Sequence, residues 1–186
     1  MERTPVTVMI YTYQAGRLDL LKKQHAAEEK ATLEALVKQG NSRRNARLIV
    51  ARMRLVEWPS RSEMVAGAVG RRLAEEDLAG PWRPLAEEEE EELSLSGRWP
   101  GPSDRTVMSQ RNYRLPSDLV KRLRTASWRM SEGPMRELRE RGLVGSGLSL
   151  SREERRVRDE LAARLYPVPR IVREALDRYG PAAPNG

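Results

Sequence analysis

The chain of 186 residues carries a formal net charge of +7, with 39% hydrophobic and 33% charged side chains and neither Cys nor Phe. That length suits one domain or two small modules, and the core must be built from Leu, Val, Met and Ala because aromatics are only 5% of the sequence. The basic balance directs attention to polyanionic partners, and the lack of Cys excludes a disulfide framework, a thiolate zinc site and a cysteine nucleophile.

In chain order, Met1 to Ile10 lacks the charged n-region and apolar h-region of a secretory signal, and nowhere do about 20 apolar residues follow one another. The expectation is a cytoplasmic protein that does not span a membrane. Thr4 to Gln14, TPVTVMIYTYQ, is rich in the Val, Ile, Thr and Tyr that fit a pleated surface, so a strand is predicted there. On it Thr7, Met9, Tyr11 and Tyr13 alternate with Val6, Val8, Ile10 and Thr12, and neither face stands out as the buried one. Helical spacing begins at Arg17, with Leu18, Leu21, Leu33, Leu36 and Val37, and stops at the QGNS of Gln39 to Ser42. A second helix is predicted over Arg43 to Glu57. After Pro59, the segment SRSEMVAGAVGRRLAEED reads as a third helix capped by Ser60 or Ser62, with Met64, Val65, Ala68, Val69 and Leu73 on its apolar face.

Residues 78–104 read as a Pro/Gly/Glu-rich linker. Within it, the run Glu87 to Glu92 is read as a solvated acidic strip, with the further option that it folds over the basic surface; no metal is assigned to it. Arg105 to Leu115 is a second predicted strand, followed at Pro116 and Ser117 by a well-signalled helix start, where Asp118 suits the helix dipole. The next helix has two candidate placements. One starts at Ser131 in SEGPMRELRERG; the other is Val168 to Tyr179, with Ser131 to Pro167 as an inserted helical hairpin. The second has the stronger stripe, Ile171, Val172, Ala175, Leu176 and Tyr179. Residues 181–186 read as a disordered tail.

The order recurs in the two halves, and so does some text. DLLKK at Asp19 to Lys23 echoes DLVKR at Asp118 to Arg122. MVAGAVGR at Met64 to Arg71 aligns with IVREALDR at Ile171 to Arg178, pairing Met64 with Ile171, Val65 with Val172, Ala68 with Ala175 and Val69 with Leu176. An internal duplication is therefore expected, with halves at 1–77 and 105–180.

The most informative stretch is SQRNYRLPSDLVKRL, Ser109 to Leu123. Strand alternation places Gln110, Asn112 and Arg114 on one face. Asn and Gln can pair bidentately with adenine and Arg with guanine, each good pair discriminating by roughly 1 to 3 kcal/mol. This stretch resembles the ribbon-helix-helix family, and in particular its Arc-type repressors, in which Gln, Asn and Arg alternate along a strand before a Pro that opens the first helix. The resemblance covers Val107 to Trp128 well and Val168 to Tyr179 fairly. It implies an antiparallel two-stranded ribbon for the major groove of double-stranded DNA, with the second helix anchoring on phosphate. Carried over, Gln110, Asn112 and Arg114 become base-reading candidates. In the first half, Thr7 and Tyr11 fill that role, while Ser60, Arg61 and Ser62 at a helix start, and Arg170 at the other, become phosphate contacts.

The fold expected from all this is mainly α with one short antiparallel ribbon, a ribbon-helix-helix-like tandem pseudo-dimer with inserted helices. The strands could instead pair between chains, in a homodimer or longer array. The function expected is sequence-specific DNA binding as a nucleoid-associated transcriptional repressor or plasmid or mobile-element accessory factor, without cofactor. The competing expectation is a helical adaptor, antitoxin-like or structural, whose stripes at Ala26 to Val37 and Arg152 to Leu165 grip a protein. An enzyme is not expected: His25, the only His, reads as a surface residue with no nucleophile pattern nearby, and GSG at Gly145 to Gly147 reads as a loop.

Overall fold

A computed structural model describes residues 2–90, 108–145 and 147–180. In chain order its elements are β1 (Arg3–Tyr11), α1 (Thr12–Lys38), α2 (Arg43–Glu57), α3 (Arg61–Arg72), β2 (Met108–Pro116), α4 (Ser117–Glu140), α5 (Arg152–Ala163) and α6 (Val168–Tyr179). Among the described residues the molecule is mainly helical with one two-stranded antiparallel sheet, and each half contributes a strand followed by three helices of 12 residues or more.

The strands pair in one register from Arg3 opposite Pro116 to Tyr11 opposite Met108. Ser117 N–H donating to Glu2 O at 3.1 Å continues the ladder by one rung. Both strands come from the same chain, so the ribbon is complete within one molecule. Because side chains alternate, each strand splits into two faces. Val6, Val8 and Ile10 of β1 and Arg111, Tyr113 and Leu115 of β2 turn towards the helices, and Val8, Ile10, Tyr113 and Leu115 are buried. The aliphatic alternation of β1, undecided in the sequence, is settled by which set the helices cover.

Over that inner face lie α3 and α6. Both are 12 residues long, and both present the positions aligned by the sequence repeat: Val65, Ala68 and Val69 on one, Val172, Ala175 and Leu176 on the other, all buried in one cluster. The small Ala68 and Ala175 let the helices approach closely. Gln14, Ala15 and Leu18 of α1 and Val120 and Leu123 of α4 close the flanks. Apolar burial at roughly 25 cal/mol per Å² makes this cluster, drawn from both halves, the main source of stability.

Charge seals one end of the α3–α6 pair. Arg72 is only 1% exposed, yet its guanidinium meets Asp77 at 2.7 and 2.8 Å, Glu174 at 2.9 and 3.2 Å and Glu75 at 3.1 Å. These donated bonds compensate its desolvation. Asp77 is in turn held below the usual carboxylate range, chiefly by its bond from Arg72.

Two helical extensions leave this body. The 27 residues of α1 span about 40 Å at the helical rise, and its later turns pair with α2, where Trp58 Nε1 donates to Glu28 at 3.1 Å. In the second half, the end of α4 packs with α5 in a separate cluster of Met135, Leu138, Leu143, Leu161, Ala162 and Leu165.

Several expectations need correction. Thr12 to Gln14 is helical rather than extended, because Gln14 is more use to the fold at the start of α1. Its Oε1 accepts from Tyr11 N–H at 3.1 Å, and its Nε2 donates to Arg173 O at 2.9 Å and Asp177 at 2.8 Å. The helix starting at Ser131 is not formed. Instead α4 runs on through Pro134, and Ser131 is buried with its hydroxyl accepting from Tyr166 N–H at 2.9 Å. The DLLKK and DLVKR echo is out of register, since Asp19 is eight residues into α1 and Asp118 two residues into α4. His25 is half-buried rather than on the open surface, with Nδ1 lacking a hydrogen-bond partner among the described residues. The predicted linker starts too early, because Leu78 belongs to the core. Residues 105–107 of the second predicted strand, Glu91 and Glu92 of the acidic run, and the tail 181–186 lie outside the described residues.

Candidate nucleic-acid interface

The outer face of the ribbon consists of Arg3, Pro5, Thr7 and Met9 from β1 and Gln110, Asn112 and Arg114 from β2, all exposed. The register sets them in rows across the ribbon: Pro5 opposite Arg114, Thr7 opposite Asn112, Met9 opposite Gln110. Among the described residues, the side chains of Gln110 and Arg114 make no hydrogen bond, ion pair or ring contact. In the central row the Thr7 hydroxyl donates to Asn112 Oδ1 at 2.6 Å. That uses one of two lone pairs on the amide oxygen, leaving the other and both N–H groups for an outside partner. The bond also favours one orientation of the exposed Asn112 side chain.

Each strand has one outer edge whose backbone groups need partners. On β2, Arg114 N–H donates to Ser62 Oγ at 3.0 Å; on β1, Met9 O accepts from Arg173 Nη1 at 3.1 Å. The start of α3 is thereby held beside the outer face at Arg114. Ser60 is the N-cap of that helix in a reciprocal arrangement: its Oγ accepts from Glu63 N–H at 3.3 Å, and Glu63 accepts from Ser60 N–H at 2.8 Å. The backbone N–H and then the hydroxyl of Ser60 hold the Glu63 carboxyl below its ordinary range. Glu63 also meets Arg3 at 3.1 Å, tying the start of β1 to the same helix end.

The remaining residues predicted for this role sit differently. Arg61 is half-buried beside Asp19, at 2.7 Å, and the same carboxylate meets Arg111 from the inner face at 3.5 Å. Arg111, where an apolar residue is expected, is accommodated by that shared anion. Tyr11 ends β1, half-buried, stacked on Tyr13 at 5.5 Å and beneath the Arg173 guanidinium. Arg170 lies over the Tyr166 ring at 3.9 Å and donates to Ala163 O and Leu165 O, both at 2.8 Å, and to Glu174. Its charge is committed at the start of its own helix. Thus Gln110, Asn112, Arg114 and Thr7 come together on one exposed face with Ser60 and Ser62 at its edge, whereas Tyr11, Arg61 and Arg170 are engaged elsewhere.

Sequence reasoning missed Pro5 and Met9, the latter 40% exposed. The signal was present, since Val6, Val8 and Ile10 are the more aliphatic alternate set and leave Pro5, Thr7 and Met9 for the other side. Further positive charge stands on α2, where Arg43, Arg44, Arg47 and Arg52 are exposed and, among the described residues, only Arg54 meets an acid, Glu29 at 3.6 Å.

In the described part of the acidic run Glu87, Glu88 and Glu90 are exposed, as a solvated strip would be, whereas Glu89 is half-buried. Glu89 receives both terminal nitrogens of Arg129 of α4 at 2.7 Å, and Arg129 also donates to Pro84 O. The Arg129 bond holds the Glu89 carboxyl down to about 2. This segment is therefore docked on α4, with Glu89 also bordering a cleft lined by Trp128, Met135 and Arg139.

No family model matches the chain, and no characterised protein or solved structure matches it at a significant level. Among the described residues no helix is long and apolar enough to cross a membrane.

Proposed function

We propose that the protein is a sequence-specific double-stranded DNA-binding protein that lays the outer face of its β1–β2 ribbon in the major groove, in the manner of a ribbon-helix-helix module made as a tandem pseudo-dimer from one chain. The observation that carries this reading is the division of the ribbon: one face is buried under the helices, while the other holds Gln110 and Arg114 in the open with side chains uncommitted, and Asn112 with both amide hydrogens and one oxygen lone pair to spare. A two-stranded ribbon has the width for the major groove, and these side chain types match the base-edge patterns found there. The repeated strand and helices, the pairing of α3 with α6 and the start of α3 beside Arg114 are consistent with it. The hydroxyl hydrogens of Ser60 and Ser62, left over after their oxygens accept from Glu63 N–H and Arg114 N–H, would donate to a phosphate, and the exposed arginines of α2 would add sequence-independent affinity. A repressor or mobile-element accessory role would follow from occupancy of a specific site.

The test is selection of bound duplexes from a randomised pool at two salt concentrations. A motif that stays enriched at the higher salt supports the reading, whereas weak, unselective binding abolished by salt refutes it. A second reading, a helical adaptor, is favoured by one observation: the α1–α2 hairpin exposes Leu48 at 55% and Val56 at 82%. Retention of a protein partner by a chain that selects no DNA would support it.

A further inference from the structure

We infer that the outer face reads a single, non-palindromic duplex site of about five base pairs per chain, with a guanine-reading end and a thymine-methyl-reading end; this rests on the DNA-reading proposal above. The central row, Thr7 opposite Asn112, is flanked by two rows that differ in chemistry. At one end Arg114 stands opposite Pro5, and at the other Gln110 stands opposite Met9. If the strands were equivalent about the central row, Met9 would occupy the place of Arg114 and Pro5 that of Gln110. Across these three rows the ribbon therefore offers one guanidinium where a symmetric ribbon would offer two, and a thioether where the second would be; Arg3 lies one row further out and is ion-paired with Glu63.

The chemistry of each row sets what it can recognise. Arg114, with its side chain free, can donate bidentately to guanine O6 and N7. Asn112, hydrogen-bonded to Thr7, retains the acceptor and donors that pair with adenine N6 and N7. Gln110 can make the same adenine contact, and the exposed thioether of Met9 beside it offers an apolar, polarizable surface for the C5-methyl of thymine. Rows on one face are two residues apart, about 6.6 Å along a strand, which is about two base-pair steps of 3.4 Å. Three rows therefore span about five base pairs, ordered guanine end, adenine centre, A·T end.

The symmetry follows from the same register. Both strands of the ribbon belong to one chain, so no dyad relates the two ends, and one molecule suffices for one site. Recognition depends on orientation along the duplex.

The experiment uses the full-length protein and a randomised duplex pool, followed by titration of the selected duplex. The expected motif is short, lacks dyad symmetry and binds one chain. Replacing thymine by uracil at its A·T end, which removes only the methyl, should weaken wild-type binding about three- to fivefold. The exposed-site variant Met9→Ala should bind the two duplexes equally. Exchange of the end residues in the double variant Met9→Arg, Arg114→Met should move the preferred guanine to the opposite end of the motif. An enriched palindrome occupied by two chains, or uracil sensitivity unchanged in Met9→Ala, would overturn the inference while leaving DNA reading intact. The absence of any enriched motif would overturn both.

Discussion

On the inner face of the ribbon, Val8 and Ile10 are sealed against helices from both halves of the chain, while on the outer face their neighbours Thr7 and Met9, with Gln110 and Asn112 opposite, stand in solvent. The same nine-residue strands supply both sets. Inner residues are fixed by packing and cannot change without cost to the fold, whereas outer residues are free to be chosen for what they touch. If the outer face reads DNA as proposed, stability and recognition are carried by different residues of the same strands, and single substitutions should move one without the other.

The largest effect is expected away from both faces, at the charged seal of α3 on α6. Arg72→Ala leaves three carboxylates around a vacated site and should cost about 3–5 kcal/mol in urea unfolding. On the inner face, Ile10→Ala, at 0% exposure, should cost about 2–5 kcal/mol by the same measurement. On the outer face, Asn112→Ala should leave the urea midpoint within error yet lose roughly 1–3 kcal/mol of discrimination between selected and scrambled duplexes. Ser62→Ala sits at the boundary of the two roles; removing the acceptor of Arg114 N–H should cost about 0.5–1.5 kcal/mol of stability and weaken DNA binding without changing the preferred sequence.

The smallest effect is a pH dependence. Glu89 is held down to about 2 by Arg129, below the ordinary glutamate value, so its contribution is complete above the unfolded value near 4.5 and is lost as pH falls from there towards the folded value. Between about pH 6 and 3 the urea midpoint of the wild type should therefore decline more steeply than that of Glu89→Gln.

Much of the fold is legible in the amino-acid sequence. The second strand, which ends at Pro116, one residue beyond the predicted Leu115, and the helix start at Ser117 are readable because alternation, Pro116 and an acid in the first turn agree with one another. The α3 and α6 stripes align because buried apolar positions at helical spacing leave a strong periodic trace. The DLLKK echo misleads because only its second copy meets the core: Leu119 and Val120 join the main cluster, whereas Leu20 is exposed at 40%. Thr12 and Tyr13 look extended by propensity, and the reversal at Gln14 depends on Arg173 and Asp177, some 160 positions along the chain, so no local reading could find it. Likewise the pattern at Ser131 suggests a fresh helix, but burial of Met135 and Leu138 in a cluster with α5 outweighs the one backbone bond that Pro134 removes, and α4 continues. Of the interface, the identities of Gln110, Asn112 and Arg114 are visible in the sequence, while the rows opposite them require the register.

The most direct test of the central claim compares the wild type with Gln110→Ala, Asn112→Ala and Arg114→Ala combined in one chain, titrated against the selected duplex and a scrambled one at the same salt concentration. The expected result is an unchanged thermal midpoint, residual binding to both duplexes through the basic surface, and collapse of the specificity ratio towards one. A triple variant that folds normally and keeps the wild-type ratio would contradict the assignment of the outer ribbon face as the reading surface.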